Sequence, residues 1–271
     1  MKARAAHRAI EEQVAAVHGK LVEHVLGGGN LALVKAPPGS GKTYLLLEAA
    51  KKALKKRMRV AVATQTNTQA DDICRRLHAD GVPSIRFAGT GRPMVDLGSS
   101  VTWETKAGKL PDSPCIVVGP SAKWGLVGGL LPFDIVFVEE AWQLSWSDCM
   151  LLRQVAGRFV LIGDPGQVPP VVSTDVSRWV TAPRAPHEAA PEVLLEEGVE
   201  SLRLSLPATR RLPSDTVDLI ESFYDFRFDA LARPGERVVE PNGRSRDAAD
   251  AALDLLREGT AVGLTMPTPD G

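Results

Sequence analysis

Between a short apolar run and a run with helical spacing the chain reads "APPGSGKT", Ala36 to Thr43. "LALVKA" (31–36) has the character of a strand, "PPGSG" breaks it, and Lys42 to Arg57 continues as a helix. Gly39 and Gly41 let backbone N–H groups turn inward around phosphate oxygens, with Ser40 between them. The helix N-terminus adds the positive end of its dipole. Lys42 can then reach the β- and γ-phosphates of a nucleotide, and the Thr43 hydroxyl can ligate Mg²⁺, which is the P-loop arrangement. The strict pattern asks for Gly at 36, where this chain has Ala36, so the match is to the relaxed form. A Gly-Pro turn that only caps a helix is the alternative, and the strand–loop–helix context argues against it.

Such a cradle needs acidic partners on a neighbouring strand. "DIVFVEEAWQL" (134–144) drives four apolar residues, Ile135 to Val138, into two adjacent glutamates. Like charges this close repel unless a cation intervenes. Glu139 suits the Mg²⁺ position and Glu140 the base that orients an attacking water. Two solvated glutamates at a strand exit are the bland alternative.

The rest of the chain supplies the setting. Residues 3–26 carry Ile10, Val14, Val17, Leu21 and Val25 at helical spacing. Strands are expected at 59–64, "VPSIRFAG" (82–89), 115–119, 135–139 and 158–164, with a helix over "NTQADDICRRLHAD" (67–80). Residues 90–112, punctuated by Gly and Pro, read as loop and short elements. Continuous apolar strands alternating with helices predict an α/β fold, a parallel sheet covered on both faces. The stretch 173–198 reads as a connector, "LRLSL" (202–206) as the first strand of a second unit, and "SDTVDLIESFY" (214–224) and "RDAADAALDLLREG" (246–259) as its helices; "AVGLTM" (261–266) closes it as a strand. A formal charge of −1 and a pI near 6.5 over 271 residues exclude whole-chain basicity as a route to nucleic acid, so any such surface is local. Three dispersed cysteines without a CxxC pair argue against a disulfide frame or a zinc site and for a reducing, cytoplasmic setting. No apolar run approaches membrane length, and no membrane partner is expected.

Taken in order, several segments resemble superfamily 1 helicases, in the branch of the nonsense-mediated-decay RNA helicase. "QVAAV" (13–17) looks like the family's Gln motif and "APPGSGKT" is similar to its "GPPGTGKT". "ATQTNTQADDI" (63–73) looks like "T-x-x-N-x-A-x-D", and "VEEAWQ" (138–143) resembles "DEA-x-Q". "LIGDPGQVPPVV" (161–172) looks like "GD-x-x-Q-L-P-P-V", and "TRRLPSDTVDLIESFYDFRF" (209–228) resembles "YR-M-x-P … F-Y". The resemblance implies a RecA-like fold: a first ATP-binding domain at 1–180, a linker at 181–198 and a partial second RecA-like domain at 199–271. It implies that Gln13 reads adenine, that Gln167 senses the γ-phosphate, and that Arg211 reaches ATP from the second domain. It also implies ATP and Mg²⁺ as ligands and single-stranded DNA or RNA as partner.

Departures from the family pattern are specific. Glu139 stands where the family has Asp, so the carboxylate reaches further by roughly one C–C bond and hydrolysis is expected to be slow. The gap from Gln13 to the P-loop is longer than the family's. The chain ends soon after "AVGLTM", which resembles the family's "ITPY" strand, and this points to a fragment or a reduced relative.

Thr64, Thr66, Asn67 and Ser121 follow strand ends, where contact with a nucleic-acid backbone and simple turn capping compete. "KKALKKRMR" (51–59) is read as a solvated helix end and Trp142 and Trp146 as core. The function expected is an ATP-dependent helicase or translocase core. An ATP-gated switch that regulates a partner without moving along a strand is the rival.

Overall fold

The computed structural model describes residues 2–232 apart from 128, 130, 131, 173, 174 and 180. Eight strands make one sheet: β1 (Leu31–Lys35), β2 (Val60–Thr64), β3 (Ser84–Phe87), β4 (Val101–Glu104), β5 (Ile116–Pro120), β6 (Ile135–Glu139), β7 (Phe159–Gly163) and β8 (Leu202–Ser205). Their order is β4-β3-β5-β2-β6-β7-β1-β8, and every pairing is parallel. The inner strands β2, β5, β6 and β7 are buried at every position, as the continuous apolar runs require.

Two cores lie on opposite faces, and the two-residue period of a strand divides them. In β6, Ile135 and Phe137 enter one core while Val136 and Val138 enter the other. Helices α1 (Lys2–Leu26), α2 (Lys42–Lys55) and α3 (Asn67–Ala79) bring Leu21, Leu45 and Ile73 to the first. Helices α4 (Ser121–Gly125), α5 (Trp146–Leu152) and α6 (Ala190–Glu196) bring Trp124, Leu152 and Ala190 to the second. The result is the RecA-like P-loop layout, in which β1 and β6 flank β7 and open their carboxyl ends on the same side.

The sequence expectations need correction at three places. Residues 90–112 contain β4, an edge strand whose half-exposed "VTWE" lacks the apolar run of an inner strand. The expected linker holds α6, with Ala190 and Val193 buried. The strand assigned to a second unit is β8, which pairs with β1 from Ala32↔Leu202 to Lys35↔Ser205, so the first sheet continues past residue 199. Beyond it, β9 (Ala208–Thr209) pairs with β10 (Asp229–Ala230), with α7 (Ser214–Ile220) between them in the chain. Leu206, Ala208 and Leu231 still join the first core. The helix expected at 246–259 and the strand at 261–266 lie outside the described residues.

Candidate nucleotide-binding cleft

The loop from Ala36 to Gly41 leaves β1 with Ala36 N–H bonded to the Gly163 carbonyl of β7 at 2.8 Å. Gly39 (φ 73°) and Gly41 (φ 90°) take the left-handed backbone that curls the loop. Ala36 is fully buried and is not among the positive-φ residues, so a methyl group is tolerated where the strict pattern has glycine. Gly41 is the N-cap of α2, and the orphan N–H groups of the first turn face the loop's concavity.

Two pairs join this loop to the end of β6. Lys42 Nζ lies 2.7 Å from Glu140 Oε1, and the Thr43 hydroxyl donates to Glu139 Oε1. Glu139 is 5% exposed. Burial pushes its carboxyl above the usual range and the Glu140 charge adds to this, while the Thr43 bond and Lys42 oppose it. Glu140 adopts φ 53°, uncommon for a residue with a side chain, and its Oε2 is buried without a protein partner. A strained residue that aims a carboxylate into a cleft is the usual mark of a working site.

The opposite rim is built by β7 and the chain after β8. Gln143 Nε2 donates to Gln167 Oε1 at 3.1 Å, and Gln167 Nε2 donates to Asp164 Oδ2 at 3.1 Å. Thr209 donates to the Pro38 carbonyl at 2.6 Å and Arg210 N–H to the Gly39 carbonyl at 3.0 Å. Arg211 presses so close that a Cβ on Gly39 would lie 2.2 Å from its own. The cleft has a volume of about 590 Å³, with Lys42, Thr43, Glu139, Glu140, Gln167 and Arg211 all on its wall. A larger groove of about 660 Å³ opens at the amino ends of β1, β7 and β8 and holds none of these groups.

The structure thus gathers Gly39, Gly41, Lys42, Thr43, Glu139, Glu140, Gln167 and Arg211 into one cleft, with Ser40 buried in the loop itself. Gln13 is not with them: it is exposed on α1 and does not line the cleft. Thr64, Thr66 and Asn67 form a capping system at the start of α3. Thr64 Oγ1 donates to the Thr66 carbonyl at 2.8 Å, and Thr66 and Gln69 close a reciprocal capping box. Asn67 Oδ1 accepts from Arg86 at 2.8 Å, and Ser121, at the first position of α4, is buried. Of the four, Thr66 alone is exposed. Gln143, Asp164, Thr209 and Arg210 went unassigned, although each falls inside a motif quoted above; position within a motif was the available signal. Trp142 is core, 3% exposed, with its indole N–H on Glu192.

The oxygen donors Thr43 and Glu139 suit a hard cation such as Mg²⁺, and the inward-curled glycine loop suits phosphate. Among the described residues, no cluster of three or more His, Cys, Asp or Glu side chains could hold a metal alone, so a cation here would complete its shell with phosphate oxygens and water.

A family model for the AAA domain matches residues 11–194, more than half of the chain. The chain belongs to the AAA domain family. The matched residues of this AAA domain include the cradle, both glutamates and Gln167, and Arg211 lies past them. RNA helicase Mov10l1 of Mus musculus is 31% identical over 159 residues, covering 51% of this chain and 13% of that protein. The DNA replication ATP-dependent helicase/nuclease JHS1 of Arabidopsis thaliana is 26% identical over 161 residues, covering 57% of this chain and 12% of that protein. These names bear out the superfamily 1 helicase resemblance drawn from motif order, although the match spans only about an eighth of either relative. Among solved structures, a complex of Arterivirus nonstructural protein 10 (helicase) with DNA has a TM-score of 0.49 at 20% identity, over 84% of this chain and 48% of that one.

Proposed function

We propose that this AAA domain is the ATP- and Mg²⁺-dependent motor core of a helicase or translocase that acts on single-stranded DNA or RNA. The observation that carries the reading is the double pairing across the ends of β1 and β6, Lys42 with Glu140 and Thr43 with Glu139. Thr43 and Glu139 would hold Mg²⁺, which when bound neutralises charge on the β- and γ-phosphate oxygens. A γ-phosphate would compete with Glu140 for the Lys42 ammonium, and Glu140, released, would orient a water and take its proton. Gln167 would turn from Gln143 towards the γ-phosphate, and Arg211 would offset charge in the transition state. The single strand would cross the carboxyl-end surface near Thr66 and Ser121; the Gln65 amide, bonded to the Glu139 carbonyl at 3.4 Å, ties that surface to the cleft.

The experiment is an ATP titration with a steady-state ATPase assay, run with and without a single-stranded oligonucleotide. Lys42→Ala is expected to abolish ATP binding. Glu140→Gln is expected to keep ATP affinity while turnover falls by about 10²–10⁴-fold. Unchanged ATP affinity in Lys42→Ala would remove the cradle assignment. ATP turnover indifferent to DNA and RNA would favour a switch over a motor.

A further inference from the structure

Tyr44 has no part in the chemistry above, yet it follows Thr43 directly and lines the same cleft. Its ring is 60% exposed, a costly place for an aromatic side chain unless something covers it. Across from it on α1, the His18 ring lies 5.6 Å away with an interplanar angle of 37°. Arg210 stands at the same end of the cleft, its Nη1 3.9 Å from where a Cβ on Gly41 would be. Burial holds His18 below its ordinary pKa and the Arg210 charge adds to this, against the pull of Glu48, so the imidazole is a neutral ring at pH 7. Three flat groups therefore flank the phosphate cradle on its α1 side.

We propose that Tyr44, with His18 beside it and Arg210 at the cradle, is the stacking platform for the base of the bound nucleoside triphosphate, and that Tyr44 selects purine over pyrimidine by ring area. This rests on the nucleotide reading of the cleft and deepens it. Every base has a π-face, so stacking on an aromatic ring tolerates base identity. An arginine plane adds a cation–π contribution. Reading adenine against guanine needs hydrogen bonds to the base edge, and Gln13, to which the family resemblance gives that task, is exposed outside the cleft. ATP and GTP should therefore bind alike, with CTP weaker.

The test is calorimetric titration of ATP, GTP, CTP and inorganic tripolyphosphate, each with Mg²⁺, on the wild type, Tyr44→Ala, Tyr44→Phe and Lys42→Ala. Stacking on one ring is worth about 5- to 150-fold in affinity. Tyr44→Ala should weaken ATP and GTP by at least about fivefold and level the purine–pyrimidine difference. It should leave tripolyphosphate unchanged, which also shows the variant folded. Tyr44→Phe should keep the purine preference. The platform is overturned if Tyr44→Ala binds ATP as the wild type does, if it loses tripolyphosphate in parallel with ATP, or if the wild type separates ATP from GTP by more than about tenfold. Lys42→Ala separates this failure from that of the cradle. Loss of both ATP and tripolyphosphate there upholds the cradle whatever Tyr44 does, and retention of both overturns cradle and platform together.

Discussion

At the scale of single residues, Glu139 works under two opposed demands. Its buried carboxylate is costly to keep charged, because burial and the neighbouring Glu140 both favour the protonated form. Contact with the Thr43 hydroxyl offsets part of that cost. A divalent cation between hydroxyl and carboxylate would remove the rest, but only if both oxygens can take near-octahedral positions at about 2.0–2.1 Å from it, directly or through water. With the longer side chain the carboxylate already touches Thr43, which leaves little room for a cation and its water. Glu139→Asp draws the carboxylate back by about 1.5 Å, the length of one C–C bond. It should lower the Mg²⁺ concentration for half-maximal ATPase activity and raise the rate severalfold. A Mg²⁺ titration of both proteins checks this, and a slower Asp variant would mean that the site is shaped for glutamate. The sequence showed the carboxylate pair and its partners because they are strand-end and loop residues with fixed spacing. It could not show that Glu140 is held at φ 53°, since left-handed backbone at a non-glycine residue is imposed by surrounding packing.

At the scale of elements, the turn after β7 is held by the segment that follows α7. Asp164, 1% exposed, accepts from Gly166 N–H at 3.0 Å and from Gln167 Nε2 at 3.1 Å. Burial pushes the Tyr224 hydroxyl above its ordinary pKa and the Asp164 charge adds to this, so it stays protonated and can donate to the same carboxylate. Lys35 pairs with Asp225 next to it, and Tyr224 stacks edge-on with Phe228 at 4.9 Å. Gly166 is required by this contact: a Cβ there would lie 2.6 Å from Tyr224 Cζ. Gly166→Ala should therefore cost about 1–3 kcal/mol, as overpacking does. In a Tyr224→Ala background the same change should cost almost nothing, and denaturant unfolding of the double-mutant cycle measures the difference. Equal cost in both backgrounds would place the strain elsewhere. Little of this was legible beforehand. "GDPGQ" read as a strand exit and "SFYDF" as a helix end, but no local pattern says that two turns 60 residues apart share a carboxylate. The inner strands were legible for the opposite reason: burial on both faces writes itself as an unbroken apolar run, which the edge strand β4 lacks.

At the scale of the whole molecule, the placement of β8 decides where the nucleotide-binding unit ends. "LRLSL" declared itself as a strand, but a strand's sequence encodes its extension and not its neighbour, and the Ala- and Pro-rich stretch before it looked like a boundary. The structure uses that stretch as a bridge across the second face and returns the chain to β1, the strand that carries the cradle. From there the chain runs along the P-loop itself, through Leu206 N–H to the Lys35 carbonyl at 2.8 Å, Thr209 to Pro38 and Arg210 to Gly39. A protein cut after residue 199 would lose the β8 ladder and all three of these braces, as well as fully buried Leu206. Burial of one such leucine is worth about 1.5–3 kcal/mol, and the ladder and braces add a few more. At about 2–4 °C per kcal/mol for a unit of this size, residues 1–199 should melt at least about 10 °C below residues 1–232. They should also bind ATP at least tenfold more weakly, because the loop would lose the chain that holds its outer carbonyls. Thermal melts and ATP titrations of the two truncations, side by side, give the answer. Equal melting temperatures and equal affinities would show that β8 and the chain after it only rest on a cradle complete without them, and would return the boundary to residue 199.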